Sequence, residues 1–194
     1  MKSKKIMLGT IVMIAALILA ACGTTDNNET SPKENDEDME MDSGSDEDME
    51  MEHSDSGEVP DDLKEAANPT YEVGSKAIIE TDHMEGMKNA EATIVGAYDT
   101  TAYVISYTPT TGGDRVEDHK WVIQEEIKDV ENETLDSGTE VTIEADHMKG
   151  MEGATAEIES SEKTTVYMID YTPTTGGEEV KNHKWVTDSE LSAE

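Results

Sequence analysis

The hexapeptide Asp82-His83-Met84-Glu85-Gly86-Met87 returns later in the chain as Asp146-His147-Met148-Lys149-Gly150-Met151. Each copy puts one imidazole and two thioethers close together, a mixture of borderline and soft donors that suits copper better than calcium or magnesium. The expected ligands are His83, Met84 and Met87 in the first copy and His147, Met148 and Met151 in the second, with monovalent copper favoured and silver as its surrogate. Asp82 and Asp146 stand next to the imidazoles, where a carboxylate can accept the ring N–H and orient it. A structural reading competes: Met fills irregular gaps in small cores, so Met84 and Met87 would plug the interior while Asp82 and His83 close the loop.

A second repeated motif, His-Lys-Trp-Val at 119–122 and 183–186, supplies further candidates. Trp121 and Trp185 are first of all core residues, because the chain has no Phe and few large side chains. An indole face can also cover a monovalent copper ion by cation–π attraction. His119 and His183 either add imidazole donors or serve as hydrogen-bonded structural residues. Side chains alternate along a strand, so each His should share a face with the Trp two residues on. Upstream, Met39 and Met41, then Met49, Met51 and His53, form Met-x-Met pairs in an acidic setting that would gather soft cations weakly.

These motifs need elements to hold them. Residues 1–22 read as a lipoprotein signal peptide: Lys2, Lys4 and Lys5 precede an apolar run that ends at Leu19-Ala20-Ala21-Cys22. Cys22 would carry the lipid and anchor the chain to the membrane. As the only Cys it leaves no thiolate site or disulfide within one chain. Residues 23–67 read as a disordered acidic tether, with eighteen acidic residues against Lys33 and Lys64 before Ala67.

From residue 68 the sequence repeats at an offset of 64 without a gap, giving units 68–130 and 131–194. Apolar residues alternate with period two: Ala77 and Ile79, Ala92 and Ile94, Tyr103 to Tyr107, then Trp121 and Val122. Thr-Pro-Thr-Thr-Gly-Gly is turn chemistry joining the third strand to the fourth. The expectation is a mainly β protein of two tandem, small, SH3-like barrel units.

The pairing of His-Met-x-Gly-Met with Tyr-Thr-Pro-Thr-Thr-Gly-Gly and His-Lys-Trp-Val, twice behind a lipobox, resembles the YdhK-type two-repeat lipoproteins of Gram-positive bacteria, a domain family of unknown function. It is also similar to the staphylococcal copper-binding lipoprotein CopL. That resemblance implies extracellular copper binding, and the repeated His/Met cluster with the Met-bearing tail leads to the expectation of copper sequestration or buffering at the outer face of the cytoplasmic membrane, for which a copper-exporting ATPase is a candidate partner.

The formal charge of −32 and the lack of a basic patch exclude nucleic acid as a partner. No nucleophile triad or phosphate loop stands out, so an enzyme is not expected. The alternative function is a cell-envelope interaction module that binds a wall peptide or glycan through the Thr-Pro-Thr-Thr-Gly-Gly loops, aided by exposed Tyr107 and Tyr171, without metal.

Overall fold

The computed structural model describes residues 54–130 and 133–194. Its strands are β1 (Lys76–Ile79), β2 (Glu91–Tyr107), β3 (Val116–Ile123), β4 (Glu140–Thr142), β5 (Thr155–Tyr171), β6 (Val180–Thr187) and β7 (Leu191–Ser192). Short 3-10 turns follow β3 at Gln124–Glu126 and β6 at Asp188–Glu190. All seven strands join one sheet in the order β4-β5-β2-β1-β7, with β3 paired to β2 and β6 to β5. Among the described residues no helix is long and apolar enough to cross a membrane.

The mainly β character and the 64-residue repeat are as the sequence predicts; the way the repeats are joined is not. The second and third expected strands are one strand of 17 residues in each copy. β2 and β5 pair antiparallel from Ala92↔Tyr171 to Tyr107↔Ala156. An irregularity at Gly96 is absorbed within the continuous strand. The register shifts there, and a Cβ on Gly96 would lie 2.7 Å from the Tyr98 ring. Thr100 faces Thr164, its own counterpart in the repeat, so a pseudo-two-fold axis passes between them.

This pairing mixes the repeats. One core combines Ala77, Ile79, Met87, Ala92 and Ile94 from the first repeat with Tyr167, Ile169, Tyr171, Val186 and Leu191 from the second. The other combines Tyr103, Ile105, Tyr107, Val122 and Ile127 with Ile143, Met151, Ala156 and Ile158. Each core is thus a hybrid: the first half of one repeat is closed by the second half of the other. The packing units therefore do not coincide with the sequence units 68–130 and 131–194. A third cluster of Ala102, Val104, Trp121, Ile123, Val166, Met168 and Trp185 lies near the pseudo-symmetry axis.

The exchange also locks the retained loops together. The backbone N–H and hydroxyl of Thr174 donate to the Gly86 carbonyl at 2.8 and 3.1 Å, and those of Thr110 to the Gly150 carbonyl at 2.9 and 3.2 Å. Gly86 has φ +76, and a Cβ there would lie 2.5 Å from Thr175 Oγ1 and 2.8 Å from Pro173 Cβ. Gly86→Ala should lose about 1–2 kcal/mol to left-handed strain and more to that collision. Gly112→Ala is the control, since its φ is +85 but nothing lies within 4 Å. Urea midpoints compare the two, and equal losses would mean that the loop-to-loop contact adds nothing.

Part of the stretch that the sequence assigns to the tether is ordered. Residues 54–66 lie as an ordered strap along the sheet: Ala66 donates to the Ala97 carbonyl at 2.9 Å and Asp99 to the Lys64 carbonyl at 3.0 Å. Val59 and Leu63 pack on the third cluster, apolar anchors that acidic composition alone conceals. Cys22, Met39, Met41, Met49, Met51 and His53 lie outside the described residues.

Candidate functional site

His83 lies in the loop after β1, and His147 in the matching loop after β4. A glutamate from the end of the other repeat meets each one. Ile79 pairs with Leu191 and Ile127 with Ile143, and the backbone N–H groups of Glu80 and Glu144 donate to the carbonyls of Glu190 and Glu126, each at 2.8 Å. These pairings bring the two carboxylates in beneath the imidazoles.

Glu190 Oε1 lies 2.8 Å from His83 Nε2, while Oε2 accepts Trp121 Nε1–H at 2.7 Å and the Thr187 backbone N–H at 3.0 Å. Glu126 repeats the arrangement. Its Oε1 lies 2.7 Å from His147 Nε2, Trp185 Nε1–H is shared by both oxygens at 3.2 and 3.1 Å, and the Ile123 backbone N–H reaches Oε2 at 3.1 Å. In each case the third residue of the 3-10 turn bonds back to the residue before the turn, which fixes the carboxylate in place.

Burial by itself raises the Glu190 carboxyl, but His83 and the Thr187 and Trp121 donors outweigh it and hold the group at about 2, against an ordinary 4.5. Glu126 moves in the same direction: burial opposes the shift, and the charge and hydrogen bond of His147 prevail. Both glutamates are therefore carboxylates, which only accept, so each His Nε2 carries the shared proton. In a neutral imidazole of that tautomer, Nδ1 is a bare lone pair. Nδ1 of His83 and of His147 is buried without a hydrogen-bond partner. A carboxylate on one ring nitrogen and a vacant lone pair on the other is the usual arrangement of a metal-binding histidine.

The methionines divide into two kinds. Met87 and Met151 are completely buried, each inside a hybrid core. Met84 and Met148 are half-buried at the edges of those cores, and the Tyr171 hydroxyl lies 4.0 Å from Met84 Sδ. Among the described residues no group of three or more His, Cys, Asp or Glu side chains has a metal-holding arrangement.

Several expected placements change. Asp82 and Asp146 are exposed, Asp146 sits 3.9 Å from Lys184 Nζ, and the ring-orienting role falls to Glu190 and Glu126. Trp121 and Trp185 stand edge-on to His83 and His147, with ring centroids 6.4 Å apart in both pairs. His119 and His183 instead lie edge-on to Tyr107 and Tyr171 at 5.9 and 5.8 Å. A one-residue register shift in β3 and in β6 breaks the alternation that would have put each His beside its Trp. Tyr107 and Tyr171 are 1% and 2% exposed, which removes them as surface contacts for a wall peptide or glycan.

Glu126 and Glu190 escape the sequence reading. The signal was present, since each stands five residues after its Trp at the offset of 64, but it is one coincidence among 46 acidic residues.

The fold and the site together define a duplicated all-β protein whose two halves exchange core strands and whose His83 and His147 are each held by a carboxylate of the other half. The chain belongs to the family described as "Protein of unknown function (DUF1541)", matched at residues 73–124 and 137–188. A Bacillus subtilis (strain 168) relative, "Uncharacterized protein YdhK", is 60% identical over 193 residues, covering 100% of this chain and 91% of the relative. A crystal structure of ydhK from the same organism shares 69% identity at a TM-score of 0.73, covering 75% of this chain and 99% of that one. The solution structure of a ydhK C-terminal domain shares 72% identity at a TM-score of 0.61, covering 63% of this chain and 93% of that one.

Proposed function

We propose that the protein binds monovalent copper outside the cytoplasmic membrane, held there by a lipid on Cys22, and that it sequesters or buffers the ion at the cell surface. The observation that supports this is the pair of buried imidazoles with vacant Nδ1 atoms, each oriented by a carboxylate on Nε2 and followed in sequence by a half-buried thioether. His83 and Met84 are the donors of one site and His147 and Met148 those of the other. Trp121 and Trp185 stand beside them as apolar cover. Met87 and Met151 belong to the cores that hold the loops. The copper is cargo, and handing it to a copper-exporting ATPase is the natural outlet for a buffer at this surface.

The test is a competition titration of the full chain in detergent, with monovalent copper under reducing conditions. His83→Ala with His147→Ala should abolish the high-affinity sites. Glu190→Gln should weaken the first by about 10- to 100-fold, the usual effect of losing the partner that orients a metal-bound His. Unchanged affinity in the double His variant would overturn the reading.

A further inference from the structure

The two sites are nearly the same in their bonds and quite different in their access. Lys184 is 3% exposed in its side chain, and its ammonium group donates to the Glu58 carbonyl of the strap at 2.9 Å. Its counterpart Lys120 is 43% exposed and sits 5.2 Å from the centre of the Trp121 ring. The His147 side chain is 1% exposed, and its backbone carbonyl accepts the Ser54 N–H at 2.9 Å; the His83 side chain is 9% exposed and meets no strap residue in the corresponding bonds. Asn182 Nδ2 donates to the Asp55 carbonyl at 2.8 Å, and strap residue Gly57 packs so closely that a Cβ would meet Asn182 Nδ2 at 3.3 Å.

These bonds from strap residues 54–58, to His147, Asn182 and Lys184, all fall on the second repeat. Val59 and Leu63 then carry the strap onto the third cluster, and Glu65 bridges to Tyr98. One chain has one such segment, so only one of the two pseudo-equivalent sites can be covered by it.

We infer that the strap is an occluding segment that makes the sites unequal: the His83 site is the less covered of the two and loads first, and the His147 site loads only when residues 54–66 lift away. The inference rests on the copper reading and adds an order of loading to it. The anchors that decide the order are the Lys184–Glu58 and Asn182–Asp55 contacts, neither of which involves a proposed metal ligand, and the bond of the Ser54 N–H to the backbone carbonyl of His147, which leaves the imidazole itself untouched.

Silver, monovalent and redox-inert, is the probe, and the full chain in detergent is titrated while histidine and indole signals are followed residue by residue. The first equivalent should shift His83 and Trp121 and leave His147 and Trp185 in place. Val59→Ser with Leu63→Ser should release the strap, so that His147 responds together with His83. Asn182→Ala, a milder release that keeps the apolar anchors, should narrow the gap. Exchange of the indole N–H protons is the metal-free readout: Trp185 should exchange at least tenfold more slowly than Trp121, and the strap variant should erase the difference. Silver that moves both histidines together in the unaltered chain, or a released strap that leaves His147 silent, overturns the unequal loading alone. Silver that moves neither histidine overturns the copper reading and the loading order with it, even if the indole exchange rates differ.

Discussion

Glu126→Ala should unfold the protein several molar units of urea early, with a loss of about 3–5 kcal/mol, the range for breaking a buried charged pair from one side. Removing this side chain strips three donors of their acceptor at once: His147 Nε2, Trp185 Nε1 and the Ile123 backbone N–H. All three sit where water cannot replace the carboxylate, since Glu126 is 5% exposed and Trp185 and His147 no more than 1%. Glu190→Ala removes the same kind of bonds at the more open site and should cost less.

The sign of the pH dependence follows from the same group. Glu190 has a folded value of about 2 against an ordinary 4.5, so its stabilisation is complete above pH 4.5 and is lost as the pH falls toward 2. A shift of that size corresponds to roughly 3 kcal/mol. Acid titration followed by tryptophan fluorescence should show that loss, and Glu190→Gln should flatten the titration in this window. Unfolding insensitive to pH between 5 and 2 would contradict the assignment.

Met87→Ala should be nearly as damaging, losing about 2–5 kcal/mol as a large-to-small change in a closed core. Met84→Ala, three residues earlier and half-buried, should cost about 1 kcal/mol or less of stability while removing the thioether proposed for copper. Urea melts and copper titrations of both variants separate the two roles. A Met87 variant of full stability would return that side chain to the list of ligands, and a Met84 variant with full copper affinity would remove this one.

The contrast between the two methionines shows where sequence is informative. Donor types and the 64-residue offset were legible, because soft ligands and gapless repeats are properties of the chain itself. So were the strands around Ile79, Ile94 and Ile105, whose alternation is local. Which thioether faces a core depends on the partner strands, and those come from the other repeat. Tandem and exchanged arrangements give the same sequence, since Ala92 pairs equally well with any strand that offers the right register. The stretches at Ala92–Ile94 and Tyr103–Tyr107 read as two strands for the same reason: only the β5 partner shows that one strand runs through both. Glu190 was hidden by distance, lying 107 residues from the His83 that it orients.

The axis between Thr100 and Thr164 carries a historical consequence. Two copies of one repeat, related by a two-fold axis and trading halves of their cores, have the symmetry of a homodimer whose protomers have been joined end to end. In such a dimer every substitution strikes both halves, and both sites stay identical by necessity. Fusion into one reading frame releases that constraint. A single strap then reaches the histidine loop of one half only, and Lys184 and Lys120, equivalent positions of the repeat, come to differ in side-chain exposure, 3% against 43%.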